Sequence, residues 1–237
     1  MKRLPIVLFV LFITDFILDS IVAAGNANNL RYLSKGLLMP LLLAFFITAT
    51  NNYISNSNNK FKRLICFALI FSFLGDVLLI GESSLHFMLG IAAFLIAHIF
   101  YIIFFCLIQP FKKKNSSFIL INGLIILSYV IMLDYLFWPL ITKQNLTIPV
   151  ITYSLVLGTM LFAAVNVINA EKQPGNFVFL LVGGAILFVA SDSMIAFNKF
   201  YLAKPLNGFY IMSTYCIAQF LIVLGAIKFI RSNVSSG

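Results

Sequence analysis

Apolar residues run along this chain in long blocks, without the period-two alternation of half-buried strands. Eight blocks approach the roughly 20 residues that a helix needs to cross a bilayer. They lie at 4–24, 33–49, 64–81, 85–108, 118–138, 148–169, 176–198 and 207–230. Short polar connectors separate them, among them the Asn-rich stretch 51–60, the Lys112–Lys114 run and Lys172-Gln173-Pro174-Gly175. No connector is long enough to fold alone, so residues 1–237 read as a single polytopic membrane domain. Backbone exposed to lipid must be helical or closed into a barrel. The pattern therefore predicts an all-α integral membrane protein with eight transmembrane helices.

Composition agrees with a lipid environment. The residues are 62% hydrophobic and only 10% charged, and mean hydropathy is +1.04. That leaves too little polar surface to cover a globule in water, which excludes a soluble enzyme, a secreted domain and a nucleic-acid-binding module. Lys2-Arg3, an apolar run and Ala23-Ala24 have the form of a signal peptide. Asp15 and Asp19 interrupt that run and seven more blocks follow, so the first block is read as a retained helix.

The net charge of +9 is explained by where the charges fall. Lys2, Arg3, Lys60, Lys62, Arg63, Lys112, Lys113, Lys114, Lys172, Lys228 and Arg231 lie on the side of both termini, 11 of the 16 basic residues. Arg31, Lys35, Lys143, Lys199 and Lys204 lie opposite. The positive-inside rule then makes both termini cytoplasmic, as in a bacterial inner membrane. The Lys112–Lys114 run needs no partner beyond lipid headgroups. Cys66, Cys106 and Cys216 sit inside apolar runs and form neither a disulfide framework nor a metal motif.

Polar side chains inside the blocks are the candidates for chemistry, because a charge at mid-bilayer costs about 2.5–3.5 kcal/mol on insertion scales. Asp134, beside Tyr135 and Trp138, reads as interfacial. Asp15 and Asp19 share one helix face, and a structural pair contacting Lys35 is as good a reading as catalysis. Tyr101 and Tyr153 fit core or belt positions as well as a site, a lone His98 fits a satisfied core, and Gln219 fits a buried amide joining two helices. Asp76 and Asp192 resist such readings. Each follows a small residue within an aromatic-rich apolar run, in Phe71-Ser72-Phe73-Leu74-Gly75-Asp76 and Phe188-Val189-Ala190-Ser191-Asp192.

These two aspartates are 116 residues apart, Lys35 and Tyr153 are 118 apart, and His98 and Gln219 are 121 apart. The recurrence points to two weakly similar four-helix halves. An even number of spans per half makes the repeats parallel, which puts both aspartates in the half of the bilayer away from the termini.

Lys35…Pro40, Phe71-Ser72-x-x-Gly75-Asp76 and Phe94-x-x-x-His98-x-x-Tyr101 resemble motifs of the YhhN family. Tyr153…Met160, Gly184-Ala185-x-x-Phe188-x-x-Ser191-Asp192 and Tyr215-x-x-Ala218-Gln219-x-x-Ile222 continue the resemblance in order. That family includes eight-span lysoplasmalogenases. The resemblance implies a hydrolase that cleaves the vinyl ether bond of lysoplasmalogens, releasing a fatty aldehyde and glycerophosphoethanolamine or glycerophosphocholine. It also implies that Asp76 and Asp192 are the paired acidic residues.

The chemistry asks for such a pair. A vinyl ether yields to acid, not base: a proton adds to the carbon beta to oxygen, and water captures the oxocarbenium ion. Glycosidases meet a related cation with two carboxyls, made unequal by their surroundings. Asp192 has no hydrogen-bond donor on its own helix face and reads as the protonated acid. Asp76, with Ser72 one turn away, reads as the ionised partner. Lys35 or Arg31 is placed to hold a phosphate, and His98, Tyr101, Tyr153, Gln219, Ser72 and Ser191 to support substrate or water. No metal or cofactor is implied, because His86 and His98 are too few histidines for a metal-dependent membrane hydrolase. An intramembrane aspartyl protease also pairs aspartates, but Phe73 breaks its Gly-x-Gly-Asp motif. The alternative outside enzymology is a lipid or small-solute carrier, proton-coupled through the intramembrane carboxylates.

Overall fold

The structure, a computed structural model, describes residues 3–25, 28–53, 56–81, 83–112, 116–170, 175–202 and 207–235. Lys2, Lys113, Lys114, Lys172, Gln173, Pro174 and Lys204 lie outside the described residues. Among the described residues the chain forms eight long α-helices and no strand. They are α1 (Arg3–Gly25), α2 (Asn28–Thr50), α3 (Asn56–Leu78), α4 (Ser84–Ile108), α5 (Ser116–Lys143), α6 (Thr147–Asn166), α7 (Phe177–Ala196) and α8 (Gly208–Ser235). A 3-10 turn, Val167–Asn169, ends α6, and a π-helical segment, Phe197–Tyr201, prolongs α7.

Seven of these helices are long and apolar enough to cross a membrane. The exception is α3, where Lys62, Arg63 and Asp76 put three charges into the apolar stretch. This helix also starts earlier than the hydrophobic pattern indicates. Asn56–Lys60, read as connector from composition, is its first turn. Tertiary bonds offset the poor helix propensity of asparagine there: Asn58 Nδ2 donates to the carbonyls of Tyr53 and Ile230, each at 3.3 Å. Between α5 and α6, Asn145 makes the turn with φ of 57°, a left-handed conformation that asparagine tolerates better than most residues.

Helix ends meet in two groups. At one end, Arg231 near the close of α8 donates to the Ala49 carbonyl of α2 at 3.3 Å, and Asn166 of α6 donates to the Gln109 carbonyl after α4 at 2.9 Å. At the other, Ser191 of α7 donates to the Ile211 carbonyl of α8 at 3.2 Å. The chain thus runs up and down, and α2, α4 and α8 begin at the end where α3 and α7 finish.

The interior is filled by Leu38, Leu42, Phe46, Leu69, Phe104, Phe188 and Ile222, all fully buried. Leu120, Leu124, Ile125 and Ile131 on α5 and Ile6, Val10 and Ile21 on α1 face outward, as lipid-facing positions do. Between α7 and α8 the packing is close. A methyl group at Gly184 would stand 2.8 Å from the Ala218 carbonyl oxygen, the small-residue contact typical of membrane helix pairs. That contact fixes Asp192 of α7 relative to Tyr215 and Gln219 of α8.

Candidate active site

Asp76 lies two residues before the end of α3, and Asp192 four before the end of α7. Both are buried, and both line one cavity of about 350 Å³. Arg31 and Lys35 at the start of α2, Ser191 of α7, Lys199 of the π segment and Tyr215 of α8 share its wall. The two carboxyls read from the sequence as a pair therefore face a common space, at the end of the bundle where their helices finish.

The surroundings of Asp76 are dense. Lys35 Nζ stands 3.4 Å from its Oδ1, and the Tyr215 hydroxyl donates to its Oδ2 at 2.6 Å. Behind it, Gln219 Nε2 donates to Ser72 Oγ at 3.0 Å and lies 3.4 Å from the Tyr215 hydroxyl. Tyr101 donates to Gln219 Oε1 at 2.6 Å. The amide thus holds a polar string of three helices at full burial. Its hydroxyl bonds also correct one expectation: Ser72, one turn from Asp76, is engaged by Gln219 and makes no bond to that carboxyl.

Asp192 has different company. Tyr153 of α6 donates to its Oδ2 at 2.5 Å, and His98 Nε2 of α4 lies 3.5 Å from the same oxygen. His98 Nε2 is also 3.1 Å from the Tyr153 oxygen, whereas its Nδ1 is buried without a partner. His98, Tyr153 and Asp192 thus form one chain of polar contacts across α4, α6 and α7. The second carboxyl oxygen, Oδ1, takes no hydrogen bond or ion pair among the described residues.

Asp15 and Asp19 are buried on α1, and Asp19 Oδ1 accepts from Ser34 Oγ at 2.7 Å. Neither bonds Lys35, whose ion pair goes to Asp76. Asp134 accepts from Ser154 Oγ at 2.8 Å on the loosely packed α5. Ser83 caps the start of α4, accepting from the His86 backbone N–H at 3.2 Å, and His86 Nδ1 lies 2.7 Å from the same Oγ. Among the described residues no three His, Cys, Asp or Glu side chains gather as a metal-ligand group.

The geometry adds Tyr215 and Lys199, which the sequence reading left out of the site. A signal for Tyr215 was present: it lies one turn before Gln219 and so on the same helix face. Lys199 carried none beyond its charge, because a π-helical turn sets its direction.

The sequence profile of the YhhN family matches residues 30–226. The chain is 32% identical over 163 residues to mouse lysoplasmalogenase TMEM86B, covering 68% of this chain and 62% of that protein. Human lysoplasmalogenase TMEM86A is 31% identical, with coverage of 68% and 63%. A lysoplasmalogenase of Mycobacterium tuberculosis is 31% identical, with coverage of 69% and 60%. The matched stretch thus spans just under two thirds of the length of these relatives. No solved structure gives a significant match. With all but the first helix and the last residues inside the profile, and Lys35, Asp76, Asp192 and Gln219 among the matched residues, the chain belongs to the YhhN family.

Proposed function

We propose that this chain is a membrane-embedded hydrolase that cleaves the vinyl ether bond of lysoplasmalogens to a fatty aldehyde and a glycerophospho-headgroup. The observation that carries the reading is a pair of buried carboxyls on one cavity, one ion-paired to lysine and the other not. The names of the relatives supply the substrate class.

The mechanism follows from acid-catalysed vinyl ether hydrolysis. A carboxylic acid gives its proton to the carbon beta to the ether oxygen, and the alkene electron pair forms the new C–H bond. The carboxylate beside Lys35 stabilises the resulting oxocarbenium ion and takes a proton from the water that adds to it. The hemiacetal then collapses: the spent acid, now a carboxylate, takes the hemiacetal hydroxyl proton as the aldehyde carbonyl forms, the carbon–oxygen bond to glycerol breaks, and glycerol oxygen takes the proton that the carboxyl beside Lys35 had received from water. No redox step occurs, and the acid is restored. Arg31 and Lys35 on the cavity wall supply positive charge for the substrate phosphate. In this reading all eight helices span the bilayer as two parallel halves, and both termini are cytoplasmic, as the distribution of basic residues favours.

The test is aldehyde release by purified protein in detergent, given lysoplasmalogen, its saturated ether analogue and lysophosphatidylcholine. Turnover of the first alone is expected. Hydrolysis of the ester alone makes the protein an acyl hydrolase. No turnover in detergent, with transport by the same protein in sealed vesicles, makes it a carrier, the reading that buried carboxyls on an internal cavity also favour.

A further inference from the structure

A second space, of about 60 Å³, adjoins the cavity that the two aspartates share. Leu79, Phe87, Phe94, Asp192 and Ile195 border both. Beyond that boundary the walls differ in kind. The first cavity adds four charged residues, Arg31, Lys35, Asp76 and Lys199, beside Ile80, Ile211 and Met212. The slot adds Ile91, Val150, Tyr153, Ala196 and Phe200, with no cation. Asp192 is the one carboxyl, among the described residues, that borders both. Lys199 stands over the Phe87 ring at 4.8 Å, and Phe87 packs edge-on against Phe200 at 6.1 Å. This row marks the change from charged to apolar wall.

Resting on the proposed function, we infer that the slot receives the first carbons of the alkenyl chain, so that Asp192, rather than Asp76, delivers the proton to the vinyl carbon. A molecule lying across the boundary must put its charged part beside Arg31 and Lys35 and its hydrocarbon beside Val150 and Phe200. Burying hydrocarbon in the charged cavity, or phosphate in the slot, leaves groups desolvated without partners. In a lysoplasmalogen the vinyl ether is the junction of those two parts, and it falls at Asp192. The carbon that takes the proton lies one bond to the chain side of the cationic carbon, and so on the slot side. Asp192 also has the geometry of a donor: Tyr153 occupies Oδ2, while Oδ1 takes no hydrogen bond among the described residues and can carry the transferable proton. Both oxygens of Asp76 are engaged, by Lys35 and Tyr215. It remains on the headgroup side as the carboxylate that faces the cation and the water.

The experiment compares a natural long-chain lysoplasmalogen with an analogue whose alkenyl group is a bare ethenyl. Ala196→Phe, which fills the slot, is expected to lower kcat/KM for the long chain relative to the ethenyl analogue by about tenfold or more. Val150→Ala, which widens it, is expected to raise the relative rate of a chain methyl-branched next to the double bond. If the wild type releases aldehyde and neither variant changes these ratios, the slot assignment is overturned. If the wild type releases none, the proposed function itself fails. For the proton donor, a vinyl ether methylated on the ether-bearing carbon forms its cation more readily and needs a weaker acid. It is expected to recover more of the lost rate in Asp192→Asn than in Asp76→Asn; greater recovery in Asp76→Asn reverses the two roles.

Discussion

Counted as two sets of four helices, α1–α4 and α5–α8, the chain carries Asp76 and Asp192 each near the end of the third helix of its half. Each also takes a partner from the second helix of its own half and one from the last helix of the other. For Asp76 these are Lys35 of α2 and Tyr215 of α8; for Asp192 they are Tyr153 of α6 and His98 of α4. At the second-helix position Asp76 meets a lysine and Asp192 a phenol, and at the last-helix position Asp76 meets a phenol and Asp192 an imidazole. Under the proposed mechanism, which needs one carboxylate and one carboxylic acid, the lysine makes the two carboxyls unequal, since a cation within about 4–6 Å favours the ionised form.

Removing either carboxyl should have the largest effect. Asp76→Asn and Asp192→Asn are each expected to lower turnover by about 10²–10³, as for loss of a positioned acid or base. The double variant should be little worse than either single one, because groups acting as a unit do not add. Folded single variants that keep a tenth of the activity would break the comparison, since neither carboxyl would then be indispensable.

The contrast between the halves sharpens at Lys35. Lys35→Met leaves Asp76 buried beside tyrosine without its cation, and breaking a buried ion pair from one side costs about 3–5 kcal/mol. Pairing it with Asp76→Asn should restore much of the thermal stability and none of the activity. A single variant as stable as the wild type would mean that Asp76 carries no charge, and the difference between the two sites would vanish.

The two phenols come next. Tyr153→Phe removes the donor to Asp192 and the link to His98, and Tyr215→Phe removes one of two partners of Asp76. Tyr153 donates to the carboxyl read as protonated, and a bond between neutral groups contributes about 0.5–1.5 kcal/mol; with the link to His98 lost as well, a loss of about tenfold is expected for Tyr153→Phe. Tyr215→Phe should lose less, because Lys35 stays in place. Measured kcat/KM in the reverse order would move the more dependent carboxyl to α3.

How much of this was legible in the sequence depends on what fixed it. Helix positions were, to within a few residues, because apolar length answers to bilayer thickness. The exception, the start of α3, depends on Asn58 reaching Ile230 across the bundle, a contact that no local pattern encodes. Asp76 and Asp192 were legible because buried charge is costly and so conspicuous. Their partners were legible only as polar positions, since helix rotation decides which carboxyl Lys35 or Tyr153 meets. The slot beside Asp192 was invisible, because Val150, Ala196 and Phe200 are ordinary core residues until three helices and a π turn bring them together.

The smallest expected effect tests the half-to-half comparison at its weakest contact. Ser72 lies one turn before Asp76 and is fully buried, so its hydroxyl is the nearest donor along the helix. In the fold that hydroxyl accepts from Gln219 Nε2 at 3.0 Å, while Asp76 is satisfied from other helices. Ser72→Ala therefore removes one bond from the amide, which keeps Tyr101 on its oxygen and Tyr215 within 3.4 Å of its nitrogen. The cost should be about 1 kcal/mol of stability, the usual worth of one such bond. The pH–rate profile should keep both limbs where they are, because neither carboxyl loses a partner. An acid limb that moves in Ser72→Ala would mean that Ser72 acts on Asp76 during turnover, and that local neighbours as well as the cation of α2 separate the two carboxyls.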